Sequence, residues 1–451
     1  MPASPSDLVS DRLSAGTASS GELEQLLGQS QSTVSRLLRR FIADGQVIRI
    51  GSRRGARYAQ LREIEGIGSR WPLRRLDERG GVHDLGTLHA LAGTEFFLEP
   101  AAETFEWSGL TSGLPYYLQD QRPAGFLGRA VPLRYPELSL PQRVIDWNDD
   151  HYLRYLTQRG ADSVGDLVLG DRALDEALQL MQRRPAIRAE ERATQYPRLV
   201  EQVMEGGLPG SSAHGEHPKF VALREGAPAR QVLVKFSPST RTAVGERWAD
   251  LLVCEHLAHE TLRGAGIAAA QSSIEVFADR VYLESVRFDR VERVGRIGVT
   301  SLFAIDSALY GKLDNWIDAG KRLAADRRID AGTLGAIRLL ATFGALIANT
   351  DRHLGNLACF DRYDGHFTLA PVYDMLPMLY APEHGELPVR QFVPPGPSTD
   401  SLREYGPARA LAERYWAACA RDARISEDFR AVAAANLRAI EALPRTGAFT
   451  A

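Results

Sequence analysis

The residues best able to do chemistry lie in two neighbouring stretches. The first is Ala348-Asn349-Thr350-Asp351-Arg352-His353-Leu354-Gly355-Asn356, and the second is Leu369-Ala370-Pro371-Val372-Tyr373-Asp374-Met375. Phosphoryl transfer needs a carboxylate that orients an attacking hydroxyl and accepts its proton. It also needs oxygen ligands that hold Mg²⁺ against phosphates. Asp351, then Asn356 five residues on, then Asp374 after a hairpin, has the order that supplies both: Asp351 as base, Asn356 and Asp374 as metal ligands. The connector 360–367 carries Asp364-Gly365, a hairpin turn pair. The apolar run 339–348 predicts the buried helix that enters the loop. Asp and Asn are also ordinary turn residues, so the rest of the chain has to decide.

Upstream, the segment 206–220 is a loop rich in Gly and Ser, followed by an expected strand at 220–223 and a partner strand at 231–236 that carries one lysine, Lys235. Small residues let backbone N–H groups approach phosphates, and a lysine neutralises their charge. The loop has neither a complete G-x-G-x-x-G pattern nor a Walker A pattern, so a plain hairpin with a flexible lead-in is the rival reading. A strong helix is predicted over 245–263, with Trp248, Leu251, Leu252, Leu257 and Leu262 as apolar positions. Either Glu246 or Glu255 on it could pair with Lys235, and the sequence leaves the choice open. The segment 281–290 predicts a strand running into a charged turn, which suits a hinge between lobes where backbone groups meet an adenine. Residues 300–451 read as mainly helical apart from the hairpin, with a loop at 392–401.

The N-terminal segment 5–60 is a unit of its own. A short helix is expected over 20–27, with Ser20 as N-cap and Gly28 as breaker. A second helix follows from Ser30 to Ile42, with Val34, Leu37, Leu38, Phe41 and Ile42 as its apolar stripe. Strands at 47–50 and 56–59 flank the basic turn Gly51-Ser52-Arg53-Arg54-Gly55. Helix, turn, helix and basic hairpin outline a winged helix-turn-helix. From Arg36 to Arg57 there are seven arginines against one acid, Asp44. Gln31, Thr33 and Ser35 would face base edges while Arg36, Arg53 and Arg54 hold phosphates of double-stranded DNA. A helical protein-interaction domain with a solvated arginine face is the alternative.

With 451 residues there is room for two or three domains and a large core. A net charge of −3 confines any nucleic-acid surface to a local patch. Three widely spaced cysteines, Cys254, Cys359 and Cys419, argue against a disulfide framework or a cysteine zinc site. No apolar run approaches a membrane span, and 1–10 lacks a secretory pattern, so a reducing cytoplasm is expected. Between the N-terminal unit and the glycine-rich loop, 63–69 is expected to be a linker and 73–90 a hairpin turning at Gly80-Gly81. Segment 105–131 is dense in Gly, Pro and aromatics; 149–184 is helical with a loop near 160–170, and 189–202 is a further helix.

Taken in order, a Ser/Gly loop, a strand lysine, a helix with Glu, a hinge, D-x-H-x-x-N and Y-D resemble the HipA family of bacterial serine/threonine kinases. Four segments carry the resemblance: Leu114 to Pro123 with Gly125 to Arg129; Ser212 to Lys219; Arg287-Phe288-Asp289-Arg290; and Asn349 to Asn356 with Pro371 to Asp374. It implies an α+β, two-lobed protein-kinase-like fold preceded by the winged helix-turn-helix: 1–65, then an N-terminal lobe at 66–290, then a helical C-terminal lobe at 291–451. It implies ATP and Mg²⁺ as cofactors and transfer to a protein hydroxyl. Asp351 would be the base, with His353 beside it orienting the loop. Ser212, Gly215, Lys219, Lys235, Asp289 and Asp374 would lie at the nucleotide, and Ser212 would be a regulatory autophosphorylation position. By resemblance alone, the substrate class includes translation components such as an aminoacyl-tRNA synthetase; a homodimer is an open arrangement. In typical systems DNA binding sits on a separate antitoxin, whereas here a similar unit is fused. Val286 stands where many members have an acid, and 296–311 departs from the usual sequence, which leaves the substrate undetermined. Asp351-Arg352-His353 with Asn356 is also similar to the catalytic loop of phosphoinositide kinases, and a regulator that only binds nucleotide is the third reading.

Overall fold

The computed structural model describes residues 4–51, 55–101, 109–205 and 217–443; Arg53, Arg54, Ser212 and Gly215 lie outside the described residues. The N-terminal unit opens with a helix that the pattern reading did not foresee, Pro5–Ser14, started by a capping box between Ser4 and Asp7. The next helix, Ser20–Leu27, is capped by Ser19 rather than Ser20, because Glu22 returns a bond to the Ser19 amide. Gly28 closes it at φ +60°, a left-handed conformation that favours glycine. Helix Gln31–Ala43 then buries Val34 and Leu38 against Val9, Leu13, Leu23 and Val47. A three-stranded sheet completes the unit in the order Ala18–Ser19, Arg57–Gln60, Val47–Ile50.

Segment 63–69, expected as a linker, is a packed turn. Ile64 is buried, its carbonyl and amide both pair with Gly68, and Trp71 Nε1 donates to Ile67 O at 2.8 Å. The N-terminal unit is stitched to the next body by Arg62 N to Ala90 O, Ala92 N to Gln60 O and an Arg62–Asp150 ion pair of 2.6 Å.

That body is a five-stranded antiparallel sheet in the order Gly109–Ser112, Glu95–Pro100, Val82–Ala90, Arg70–Leu76, Leu167–Leu169. The expected hairpin turns at Gly80, φ +79°. The edge strand Leu167–Leu169 falls in the span expected as a loop; three residues are too short to show a period, and all three are buried. Helices Asp149–Arg159 and Asp171–Arg183 follow the expected helical span.

A second five-stranded sheet runs Ser272–Phe277, Arg280–Val286, Arg230–Phe236, Lys219–Arg224, Ala186–Ile187. Helices Arg192–Glu205 and Ala243–Arg263 pack on it. The C-terminal lobe contains helices Leu302–Leu309, Trp316–Ala325, Ala331–Leu346, Leu402–Arg421 and Glu427–Glu441 with a three-stranded sheet, Val299–Ser301, Ala358–Asp361 and Phe367–Leu369. One hydrophobic core runs through these parts from Ile64 to Ile440. The whole is α+β. Among the described residues no helix is long and apolar enough to cross a membrane, and the three cysteines are buried and free.

Candidate active site

Alternation along the strand Arg230–Phe236 sorts its side chains onto two faces. Val232, Val234 and Phe236 join Tyr196, Phe220 and Tyr282 in an apolar cluster. Lys235 takes the other face, where Glu255 of helix Ala243–Arg263 meets its Nζ at 2.8 and 2.7 Å with both side chains buried. The choice the sequence left open is thereby made: Glu246 sits exposed in the first turn of the same helix. Lys219 is the register partner of Lys235 on the neighbouring strand, so both lysines share one face.

Asp374 reaches this pair from the other lobe and ion-pairs with Lys235. Its backbone approach is set by Val372, which pairs with the 268–270 segment through Val372 N to Ala268 O and Ala270 N to Val372 O. Burial would raise the Asp374 carboxyl, but the Lys235 and Lys219 charges overcome it and hold the group well below the usual carboxylate range. Burial likewise works against the Lys235 charge, and Asp374 and Glu255 together raise it instead. Glu255, fully enclosed, is raised by burial and by Asp374 despite its bond to Lys235. Two histidines near the pair, His217 and His259, are pushed down to about 3 by burial and then by Lys235, so both are neutral.

The loop 348–356 follows helix Ala331–Leu346. Asp351 is half exposed, and its backbone N–H donates to Asn349 Oδ1 at 2.9 Å. Asn356 Nδ2 donates to Asp351 O at 2.8 Å and lies 3.5 Å from its carboxylate. With that nitrogen spent, the amide oxygen of Asn356 is the atom left to offer a cation. His353 accepts from Gly355 N through Nδ1 at 3.0 Å, which places its remaining proton on Nε2. Trp316 Nε1 donates to His353 O, and the Tyr373 hydroxyl donates to Gly355 O, each at 2.8 Å. Asn349 completes the joint by donating to Asp374 O at 3.2 Å.

Asp289 does not join this group. The described bonds of its carboxylate run to Arg287 (3.0 and 2.8 Å), Arg290 (2.6 Å) and Gly165 N (3.0 Å), and Arg287 and Arg290 also face Asp162. Two arginines and a backbone amide thus surround this buried carboxylate in an ion cluster apart from Lys235, Glu255 and Asp374. Its neighbour Phe288 points the other way and lies 5.7 Å, centroid to centroid, from Tyr373. Asn349, Trp316 and the Phe288–Tyr373 pair were missed in the sequence. Only Asn349 carried a signal, as a turn-forming Asn two residues before the base.

A family description, YjjJ-like toxin, middle domain, matches residues 67–178, the sheet that carries the N-terminal unit. A second, HipA-like C-terminal domain, matches residues 211–441, half of the chain. The chain belongs to the HipA family. A relative in that family, Toxin YjjJ of Escherichia coli (strain K12), is 36% identical over 430 residues, which cover 94% of this chain and 95% of the relative. Among solved structures, HipA of Shewanella oneidensis MR-1, in a complex with HipB and its operator DNA, matches with a TM-score of 0.48 and 14% identity, over 82% of this chain and 95% of that one. The Helicobacter pylori proinflammatory kinase CtkA matches with a TM-score of 0.36 and 12% identity, over 51% of this chain and 89% of that one.

Proposed function

We propose that this HipA-family chain is an ATP-dependent, toxin-like serine/threonine kinase that transfers the γ-phosphoryl group to a protein hydroxyl. The observation that carries the reading is Lys235, held between Glu255 and Asp374, with Asp351 tied to Asp374 through Asn349 and Asn356 bonded in turn to Asp351. Asp351 takes the proton of the acceptor hydroxyl as that oxygen bonds to the γ-phosphorus and the bond to the ADP oxygen breaks. Lys235 and Lys219 lie where phosphate charge would need neutralising. Phe288 and Tyr373 offer flat apolar faces beside Asp374 for a base. The oxygen donors of Asn356 and Asp374 suit Mg²⁺, which when bound would neutralise charge on the phosphates.

Helix Gln31–Ala43 leaves Gln31 and Arg36 exposed and Thr33 and Ser35 half-buried. With the arginines Arg53 and Arg54 in the same segment of sequence, it supports DNA binding by the N-terminal unit, so that kinase and DNA reader are one chain.

The test is phosphoryl transfer from labelled ATP by the full chain, wild type against Asp351→Asn and Asp374→Asn. Loss of base catalysis costs about 10²- to 10⁴-fold in turnover. Asp374→Asn additionally weakens Mg-ATP binding more than Asp351→Asn does. Wild-type rates in either variant overturn the assignment, and transfer to lipid but to no protein replaces it with the phosphoinositide-kinase reading.

A further inference from the structure

Asn349 is 1% exposed and makes a different bond with each side of its amide. Nδ2 donates to the backbone carbonyl of Asp374, 3.2 Å away, and Oδ1 accepts the backbone N–H of Asp351 at 2.9 Å. Its main chain is fixed as well, by a bond from its N–H to Gly344 O at 2.9 Å and by the Arg352 guanidinium on its carbonyl. The residues it steadies are held in unusual backbone. Ala348, its neighbour, has φ +58°, and Asp374 has φ +53°. Non-glycine residues are uncommon in the left-handed region, and an Ala there, as at Ala348, is held by its surroundings.

We infer that Asn349 is a positioning residue that sets the metal-loop carboxylate, Asp374, against the base, Asp351. This rests on the kinase reading and deepens it. A primary amide carries its donor and its acceptor on two separate atoms of one short side chain, so it can bridge two loops at once. An aspartate in its place keeps the two-residue turn onto Asp351 N but turns an attractive contact with the Asp374 carbonyl into a repulsive one. An alanine loses both bonds. The Tyr373 hydroxyl on Gly355 O is a second tie between the same loops, placed at the far end of the base loop, so loss of Asn349 displaces Asp374 rather than separating the loops.

The test uses the full chain with Asn349→Asp and Asn349→Ala, and two readouts. The first, in the absence of nucleotide, is amide hydrogen exchange of the peptide containing Asp351. Exchange there speeds up at least tenfold in Asn349→Ala and stays near wild type in Asn349→Asp. The second is the Mg²⁺ concentration for half-maximal ATP turnover, which rises roughly three- to tenfold in Asn349→Asp, the loss of one hydrogen bond. Unchanged exchange in Asn349→Ala, or an unchanged Mg²⁺ requirement in Asn349→Asp, overturns the inference. If Asn349→Asp does not fold, Asn349→Ser takes its place, since serine reaches Asp351 N but not Asp374 O. If wild type transfers no phosphate at all, the kinase reading fails, and unchanged exchange in Asn349→Ala then still refutes the role of Asn349.

Discussion

Glu255 grips Lys235 with both carboxylate oxygens, at 2.8 and 2.7 Å, from a helix that meets the lysine's strand only through tertiary packing. The same ammonium meets Asp374, so one cation serves two carboxylates in a buried space. Removing it leaves them facing each other. Lys235→Met is expected to cost about 3–5 kcal/mol at neutral pH, the loss typical of a broken buried pair. Without the lysine both carboxyl pKa values lie above their unfolded values, so the protonated forms favour folding. The deficit therefore shrinks as pH falls from 7.5 toward 5. Thermal melting of the variant at the two pH values checks this; a deficit independent of pH would show that the carboxylates are not its cause.

Asp361 and Asp166 give a second pH effect, in the intact protein. Burial pushes each up to about 6, against the bonds from Tyr363 N, Tyr116 and Thr300 to Asp361 and from Tyr363 to Asp166. A carboxyl raised in the folded state contributes stability that is complete below its unfolded value, about 3.9, and is lost as pH rises through about 6. Wild type should accordingly gain more in melting temperature between pH 7.5 and 5 than Asp361→Asn does. Equal gains would place the pH dependence elsewhere.

DNA binding is expected to separate into two kinds of contact. Replacing Arg53 and Arg54 with Ala in the full chain should weaken binding to all duplexes and flatten its salt dependence, because fewer counterions are released. Changes at Gln31 or Thr33 should alter sequence preference with little effect on the salt slope. The full chain is the right material, since Arg62 and Asp150 fasten the N-terminal unit to the next sheet. Absence of salt-sensitive duplex binding would leave that unit as a protein-interaction domain.

Ser212 is expected to be an autophosphorylation site. A phosphate there adds about −1.5 to −2 charges and three acceptor oxygens that compete for Lys235 and the loop amides, and activity should fall. Mass spectrometry of wild type and Asp351→Asn after incubation with Mg-ATP should find phosphate on Ser212 in the first and not in the second, with Ser211 unmodified in both. No modification in an otherwise active wild type would discard Ser212 as a switch.

Local patterns made much of this protein legible in its sequence. Asp351, Asn356 and the hairpin to Asp374 lie within one short stretch, so their spacing could be read directly. The strand with Lys235 and the long helix after it were legible as apolar runs, each buried on more than one face. The capping box of Ser4 and Asp7 was equally local, yet the helix it starts was overlooked. Other features had no local signature. Which of Glu246 and Glu255 faces Lys235 depends on where a 21-residue helix crosses the sheet, and packing sets that. That the Asp289 carboxylate sits between Arg287, Arg290 and the Gly165 amide is likewise set by packing, since Gly165 lies far away in the chain. Segment 63–69 is polar enough to pass for a linker, and only the burial of Ile64 and Ser69 makes it a joint. Asn349 stood in plain view beside the base, but its second bond runs to a carbonyl 25 residues further on. A hydrogen bond across two loops is a property of how they fold together, and tertiary structure alone decides it.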